Sequence, residues 1–275
     1  MRNRNTLARP VEFSGTGLHT GTQARVRVLP LPEGGGLCFR FGGNRFGVAE
    51  AQLSDTRRKT GLTFPDGNSL YTVEHLLASL AGMEIDDAEI EITGEEVPVL
   101  DGSALPYAAA FAEAGIAERD ELFEPRSLAS PVIVESERSF IAATPSETTR
   151  VTYVIDYTGT AIGGQVKDVV LTRESFLDEI APARTFGLRS EVDALHREGL
   201  GLGGNLDNVV IIGDDGPLNT VGYRMINECV SHKILDLLGD LTLLGYPVTA
   251  RYTCVCGGHD IHARLVRRLR GVLAD

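Results

Sequence analysis

Residues 228–241 carry side chains able to bind a metal or move a proton on a segment with the apolar content of a buried helix. His232 and Asp236 are four residues apart, and Asp240 follows after four more, so all three project from one helical face. A buried imidazole beside two carboxylates is costly unless the charges are paired or a cation is bound. The segment alone therefore leaves two interpretations open, a metal site and a hydrogen-bonded polar network in the core.

A second segment repeats this combination of polar chemistry and apolar surroundings. Glu74 and His75 stand side by side at the start of an apolar stretch that ends near Gly82. Thr72 is a residue type that caps a helix, so the pattern predicts a helix beginning there and ending at the glycine. If Glu74 and His75 lie on the solvent side of the first turn, the glutamate simply suits the helix dipole. If they face inward, they add a carboxylate and an imidazole to a shared site.

A third histidine completes a candidate constellation. His259 follows two glycines, which let the backbone turn tightly and aim the ring. Together with His75, His232 and Asp236 it would form a site built from distant segments, as clefts between domains commonly provide. Two histidines and one carboxylate form a catalytic zinc set that leaves a fourth position open to water.

Two other chemistries compete with this constellation. Cys254, Cys256, His259 and His262 could form a local closed zinc site, although the usual spacing pairs C-x₂₋₄-C with a distant second half. A serine or cysteine nucleophile is disfavoured, because the chain has no G-x-S-x-G motif and no cysteine in an electropositive turn. His19, within a Gly-rich loop, has the pattern of a turn histidine.

Length, charge and cysteine usage bound the class of protein. The chain has 275 residues, 43% of them hydrophobic, which is enough to bury the cores of two modest domains. Its net charge of −12 argues against nucleic-acid binding, although a local basic pocket could hold a small anion. Four cysteines without a secreted disulfide framework predict a cytoplasmic protein. No stretch predicts a signal peptide or a spanning helix, so we expect at most peripheral membrane contact. We also expect a monomer.

The order of predicted elements divides the chain. Strands followed by helices in both halves predict an α+β fold made of two pseudo-repeated domains. Residues 121–130, with their charge and proline, predict a linker between a first domain at 1–120 and a second at 131–275. A segment inserted around 183–212 has a Gly-rich stretch at 199–204, but this precedes a predicted strand and not the helix that a phosphate-binding glycine loop requires, so it predicts a pocket wall.

Motifs that run in order through nearly the whole chain resemble those of the UDP-3-O-acyl-N-acetylglucosamine deacetylases, the zinc enzymes of the committed step in lipid A synthesis. The motifs are Gly15-Thr16-Gly17-Leu18-His19-Thr20-Gly21, Thr72-Val73-Glu74-His75-Leu76, Leu100-Asp101-Gly102-Ser103, Ala183-Arg184-Thr185-Phe186-Gly187, Gly203-Gly204 and His232-Lys233-x-Leu235-Asp236. The resemblance implies two domains, each a small β-sheet layered on helices, with the helices sandwiched between the sheets and the active site at the domain junction.

The resemblance also implies a metal set and an acid–base pair. His75, His232 and Asp236 would hold Zn²⁺. Glu74 would be the general base, and His259 the protonated acid that assists departure of the sugar amine. Such a pair suits amide hydrolysis, which needs an activated water and a proton for a poor leaving group.

The remaining implied roles concern the substrate. Asp240 would hold His259, and Lys233 would meet the anionic substrate. Thr185 would hydrogen-bond the carbonyl oxygen as it becomes an oxyanion. Phe186 and Leu188, with the inserted segment behind them, would line a passage for the acyl chain, and His19 from the first motif joins them as a substrate-binding residue.

The implied activity is removal of the N-acetyl group from UDP-3-O-acyl-N-acetylglucosamine, which gives the free amine and acetate. Two alternatives stay open. One is a metal-dependent deacylase of another N-acyl sugar, and the other is a catalytically silent relative that binds a nucleotide-sugar or a partner protein. Retention of the metal set, the base and the acid together favours an enzyme, because a scaffold has no physical need for them.

Overall fold

The structure is a computed structural model and describes residues 2–41 and 43–273. In that part of the chain, the strands before residue 128 are β1 (Arg2–Leu7), β2 (Val11–Thr16), β3 (Gln23–Pro30), β4 (Leu37–Phe41), β5 (Asn44–Gly47), β6 (Gln52–Asp55), β7 (Gly61–Thr63), β8 (Ser69–Leu70), β9 (Ala88–Thr93), β10 (Ile116–Phe123) and β11 (Arg126–Ser127). The later strands are β12 (Val132–Glu135), β13 (Phe140–Pro145), β14 (Arg150–Tyr157), β15 (Gly163–Val170), β16 (Phe186–Leu188), β17 (Val210–Ile212) and β18 (Val248–Val255). The helices are α1 (Glu74–Gly82), α2 (Leu105–Ala114), α3 (Arg173–Ser175), α4 (Arg189–Arg197), α5 (Glu228–Thr242) and α6 (His259–Val272), and a π-helical turn, Phe176–Ile180, follows α3.

Two mixed sheets form the outer layers of the fold. The first orders its strands β2-β3-β9-β4-β5, and the second orders them β12-β13-β18-β14-β15 with β11 beside β18. Along β3, Ala24, Val26 and Val28 are buried while Arg25 and Arg27 are exposed. Because successive side chains of a strand point to opposite faces, this alternation leaves one face of the sheet for the core and one for solvent.

Helices fill the space between the two sheets. α1 and α5 pack along each other, α5 contacts β14 and β15 of the second sheet, and α2 contacts α1 and β2 of the first. Buried side chains from both sheets and from these helices join in one large hydrophobic cluster. The predicted α+β class, with helices between two small sheets, is confirmed. Within residues 2–41 and 43–273, no helix combines the length and the apolar content needed to cross a bilayer.

The segment between the two halves contains short strands. β10 extends past residue 120 and pairs with β1, and β11 pairs in parallel with β18 of the second sheet. The chain therefore passes from one half to the other through residues that are themselves paired. The division into domains at 1–120 and 131–275 stays a prediction.

The predicted cap at Thr72 is wrong. α1 begins at Glu74, and Val73 occupies the N-cap position without a side-chain cap bond. Thr72 has a positive φ of 58°, and its hydroxyl donates to Glu96 Oε1 at 2.6 Å. The hydroxyl is therefore used to fasten the entry of α1 to the loop that carries Glu96, which a local capping pattern does not predict.

Gly239 sets how closely α5 approaches α1. A Cβ at position 239 would collide with the backbone carbonyl of Glu74, the first residue of α1. Gly239→Ala is therefore expected to push the two helices apart and to lower the free energy of unfolding by about 3 kcal/mol, the upper part of the usual cost of overpacking. Thermal or urea unfolding of the purified variant measures this loss.

Gly271→Ala provides the matched control for that experiment. This glycine lies near the end of α6, and a Cβ there meets nothing within 4 Å. Alanine also has the higher helix propensity, so the control is expected to be at least as stable as the parent chain. Equal stability of Gly239→Ala and Gly271→Ala would contradict the role given to the α1–α5 contact.

Candidate metal centre and active site

The three predicted metal ligands meet where α1 packs against α5. His232 and Asp236 lie on successive turns of α5, and the first turn of α1 contributes His75. The Nε2 atoms of His75 and His232 lie 3.9 and 3.2 Å from Asp236 Oδ1. One ligand atom from each residue lies within 4.8 Å of the others, and all three side chains are buried. This spacing fits one cation held by two nitrogens and one oxygen.

Neighbouring groups orient two of these ligands. His232 Nδ1 donates its proton to the carbonyl oxygen of Ala183 at 3.0 Å, which directs Nε2 towards Asp236. Lys233 Nζ donates to Asp236 Oδ2 at 2.7 Å. The other carboxylate oxygen, Oδ1, is buried and has no hydrogen-bond partner, an arrangement that is costly in a core. The donor set therefore fits a divalent cation at Oδ1 and the two Nε2 atoms.

The protonation states of the ligands also suit a metal. Burial lowers the pKa of His75 to about 3 and lowers the pKa of His232, so both imidazoles are neutral near pH 7. Burial opposes the charge of Asp236, but His232 and Lys233 outweigh it and hold the pKa of that carboxyl well below its usual range. Neutral imidazoles and an ionised carboxylate are the forms that coordinate a cation.

Glu74 and His259 stand beside this centre. His259 Nε2 lies 3.7 Å from Glu74 Oε1 and 3.9 Å from Asp236 Oδ2. Each is oriented by a neighbour, because His259 Nδ1 lies 2.8 Å from Asp240 Oδ2 and the backbone N–H of Thr60 donates to Glu74 Oε2 at 3.1 Å. A carboxylate and an imidazole thus face the metal position together, as a hydrolytic base and acid require.

Burial and charge move the pKa values of this pair. Burial lowers the pKa of His259, but Asp240, followed by Asp236 and Glu74, raises it to about 9, so the ring is protonated near pH 7. Burial raises the pKa of Glu74 to about 8, and His259 opposes that rise. A divalent cation acts on Glu74 in the same direction as His259, favouring the ionised carboxylate. The arrangement can therefore keep a proton on His259 while Glu74 accepts one.

A cavity of about 710 Å³ opens onto the centre. Its walls include the remaining residues predicted to contact substrate, which are His19, Thr185, Phe186, Leu188 and Lys233. The Phe186 ring lies 6.3 Å from the His232 ring, centroid to centroid, so β16 brings the aromatic wall against the metal ligands. The apolar wall continues through the inserted segment with Val192, Leu195, Leu206, Val209 and Ile211, and Leu218 beyond that segment also lines the cavity.

His19 is not the exposed turn histidine that its local pattern favours. Its side chain is 6% exposed, and neither ring nitrogen has a hydrogen-bond partner. The Glu96 carboxylate accepts the backbone N–H groups of His19 and Thr20 at 2.9 and 2.7 Å, which fixes this loop inward. Burial lowers the pKa of His19. A neutral ring whose nitrogens have no hydrogen-bond partner therefore lines the cavity, and its substrate-binding role stays a prediction.

A second group able to hold a metal is instead a hydrogen-bond network. Among the described residues, metal-binding groups of three or more form in two places, and neither group contains a cysteine. The second group joins Asp240, His259 and His262, and Asp240 Oδ2 accepts from the Nδ1 atoms of both histidines at 2.8 Å. The alternative zinc site with Cys254 and Cys256 is therefore not formed.

Sequence reasoning missed the ion pair that anchors one wall of the cavity. Arg184 Nε lies 2.8 Å from Glu228 Oε1, and both side chains are buried. The backbone N–H of Arg184 donates to the same oxygen at 3.0 Å, which ties the segment before Thr185 to the start of α5. The signal was present, because a buried arginine requires a charged or hydrogen-bonded partner.

Comparison with known proteins identifies the family. The sequence model of the UDP-3-O-acyl N-acetylglycosamine deacetylase family matches residues 4–271 of this chain. The chain belongs to this family. The resemblance seen in the motifs is confirmed, and with it the expectation of a deacetylase, a metal-dependent hydrolase.

Curated members of the deacetylase family match the chain along nearly its whole length. The UDP-3-O-acyl-N-acetylglucosamine deacetylase of Nostoc sp. is 41% identical over 274 residues, which cover 97% of this chain and 98% of the relative. That of Oleidesulfovibrio alaskensis is 38% identical over 271 residues, which cover 97% of this chain and 88% of the relative. The group between α1 and α5 that could hold a metal thus occurs in a chain that matches such deacetylases throughout.

Proposed function

We propose that this deacetylase uses Zn²⁺ to remove the N-acetyl group from UDP-3-O-acyl-N-acetylglucosamine in lipid A synthesis. The observation that carries the proposal is the buried group of His75, His232 and Asp236, with Glu74 and His259 beside it at one end of a cavity that has an apolar wall. Two histidines and one carboxylate match the ligand number of catalytic zinc sites. The names of the relatives point to the same substrate.

The proposed reaction breaks the amide C–N bond and forms a C–O bond from water. Zn²⁺ bound by His75, His232 and Asp236 would lower the pKa of water and polarise the amide carbonyl. Glu74 accepts the proton of the attacking water. The protonated His259 ring donates its Nε2 proton to the departing nitrogen, so the products are acetate and the free amine.

Other residues of the cavity bind and orient the substrate in this proposal. Thr185 donates a hydrogen bond to the carbonyl oxygen as negative charge develops there. Lys233 is kept charged, since its contact with Asp236 outweighs burial and raises its pKa, and it attracts the anionic substrate. Phe186 and Leu188 line the acyl passage, and His19 offers its unused ring nitrogens to a polar group of the substrate.

We also propose that the enzyme acts in the cytoplasm as a monomer, with domains at 1–120 and 131–275 joined by residues 121–130. All four cysteines are free, which suits a reducing compartment. The metal ligands come from both proposed domains, His75 from the first and His232 with Asp236 from the second. Size-exclusion chromatography with light scattering tests the monomer.

An assay of acetate release tests the activity and the metal together. Purified protein is stripped with a chelator and then incubated with UDP-3-O-acyl-N-acetylglucosamine, with and without added Zn²⁺. Activity is expected only after metal is restored. Full activity in chelator-treated, metal-free protein would contradict the proposal. Equal turnover of UDP-N-acetylglucosamine, which lacks the acyl chain, would favour a deacylase of another N-acyl sugar.

Asp240→Asn is expected to change the pH dependence of the reaction. Asp240 raises the pKa of His259 more than any other neighbour, and that pKa is about 9. Because the acid works in its protonated form, kcat/KM falls as the pH rises through this value. Without the carboxylate the proton is lost at lower pH, so the falling limb of the profile should move down. Measurement of kcat/KM between about pH 6 and 10 checks this.

The control for this profile is Asp168→Asn. Asp168 lies on β15 and pairs with Arg150 at the surface, so its replacement removes the same charge outside the cavity that His259 lines. Its profile is expected to match that of the parent chain. If the alkaline limb of the kcat/KM profile is unchanged in Asp240→Asn, His259 is not the acid.

A further inference from the structure

A buried chain of polar groups continues from His259 away from the cavity. Asp240 Oδ2 accepts from His259 Nδ1 and from His262 Nδ1, each at 2.8 Å. His262 Nε2 in turn lies 3.1 Å from the hydroxyl of Tyr153 on β14. His262 and Tyr153 are fully buried, and neither lies on the wall of the cavity. They are outside the reach of a substrate, yet they contact the carboxylate that orients the acid.

The protons of this chain can be placed from its chemistry. Burial raises the pKa of Tyr153 well above its ordinary value, so its hydroxyl keeps its proton and donates to His262 Nε2. A neutral imidazole that accepts at Nε2 carries its hydrogen at Nδ1. His262 Nδ1 therefore donates to Asp240, whose carboxylate oxygens can only accept, and the contact of Nε2 with Tyr153 suits the same tautomer.

Thr60 supplies the third donor to the same carboxylate. Its hydroxyl hydrogen-bonds Asp240 Oδ1 and lies 3.0 Å from His259 Nδ1. Its backbone N–H donates to Glu74 Oε2, and its carbonyl oxygen accepts from the backbone N–H of Thr72 at 3.0 Å. Thr60 thus contacts Glu74, the proposed base, through its main chain and Asp240, the partner of His259, through its side chain.

We propose that Thr60 and His262 are positioning residues that lock the Asp240 carboxylate, and through it the His259 ring, in the orientation needed for proton donation. The inference rests on the proposed function, in which His259 is the acid. A carboxylate with one partner can rotate about its side-chain torsions, whereas donors on both oxygens leave it one orientation. Because ring position decides whether Nε2 reaches the leaving nitrogen, loss of a donor should lower kcat more than it changes KM.

Two replacements of His262 separate this role from simple packing. His262→Asn keeps an amide nitrogen close to the position of Nδ1 and can still donate to Asp240. His262→Gln places its amide near Nε2, beside Tyr153, and loses the donor to Asp240. The glutamine variant is expected to lose about 10- to 100-fold in kcat with KM nearly unchanged, and the asparagine variant to keep most of the activity. Equal kcat for the two variants would overturn the proposal for His262.

Thr60 offers a parallel test with a conservative rescue. Thr60→Val has nearly the same shape and keeps the backbone N–H to Glu74 but lacks the hydroxyl, whereas Thr60→Ser restores it. The valine variant is expected to lose about tenfold or more in kcat and the serine variant to recover most of it. If serine and valine behave alike, the hydroxyl has no positioning role. This pair keeps the inference testable even if a His262 variant does not fold.

A spectroscopic readout distinguishes failure of this inference from failure of the proposed function. In ¹⁵N-labelled, metal-free protein at fixed pH, the His259 Nδ1–H resonance should shift in Thr60→Val and His262→Gln but not in Thr60→Ser. A parent chain without deacetylase activity would defeat the proposed function whatever the spectra show. An active parent chain whose His259 resonance and kcat are unchanged in Thr60→Val and His262→Gln would defeat this inference alone.

Discussion

His75→Ala is expected to lose both the metal and the activity while the fold is kept. In the proposed site His75 is one of two nitrogen ligands, and it comes from a different helix from His232 and Asp236, so its removal leaves two neighbouring candidate ligands on α5. Changes to residues that only support a ligand already cost about 10- to 100-fold in metal affinity, so loss of a ligand should cost more. Metal content by mass spectrometry after dialysis, together with acetate release, measures the effect.

His196→Ala is the control for the metal measurement. His196 is an exposed histidine on α4, and removing it takes one imidazole from the chain without touching α1 or α5. It should bind metal as the parent chain does. Stoichiometric metal in His75→Ala, with activity retained, would show that the cation is held elsewhere, and the proposed mechanism would fail with it.

The sequence predicted the half of the metal centre that a single helix determines. His232 and Asp236 share a face because four residues span about one helical turn, and this holds wherever the helix lies. The sequence left open whether His75 faces inward, because the first turn of a helix can equally face solvent. The structure turns it inward because Gly239 lets α5 approach the backbone of α1 at Glu74.

The parts that the sequence did not predict depend on contacts between distant segments. Thr60 and Asp240 are 180 residues apart, and no local pattern marks a threonine before a short strand as a partner of a carboxylate on α5. His19 lies in a turn, as its local pattern predicts, but it is buried because Glu96, 77 residues away, accepts its backbone N–H. Thr72 is a residue type that caps helices, but its hydroxyl instead donates a hydrogen bond to the same Glu96. Local residue types thus indicated the candidate reactive groups, while long-range hydrogen bonds decided their placement.

Glu74→Gln is expected to lower turnover strongly while the metal stays bound. The amide has the shape of the carboxylate and can still accept the backbone N–H of Thr60, but it cannot take a proton from water. A general base contributes about 10²- to 10⁴-fold, so kcat/KM should fall by that amount. Glu74 is outside the group of metal ligands, so metal content should equal that of the parent chain. Loss of metal in this variant would reject the assignment of Glu74 as base.

Stability measurements on the same variant separate a catalytic role from a structural one. In the metal-free protein burial raises the pKa of Glu74 from its ordinary 4.5 to about 8. A carboxyl whose pKa is higher in the folded chain makes the fold less stable as the pH rises from 4.5 through about 8, because ionisation is then favoured in the unfolded chain. Neutral glutamine removes this cost, so metal-free Glu74→Gln should melt no lower than the parent chain at about pH 8. The control is Glu95→Gln, at an exposed position, which should change neither stability nor kcat/KM. A glutamine variant that is both inactive and much less stable would point to Glu74 as a structural residue, because the loss of activity would then follow from damage to the fold.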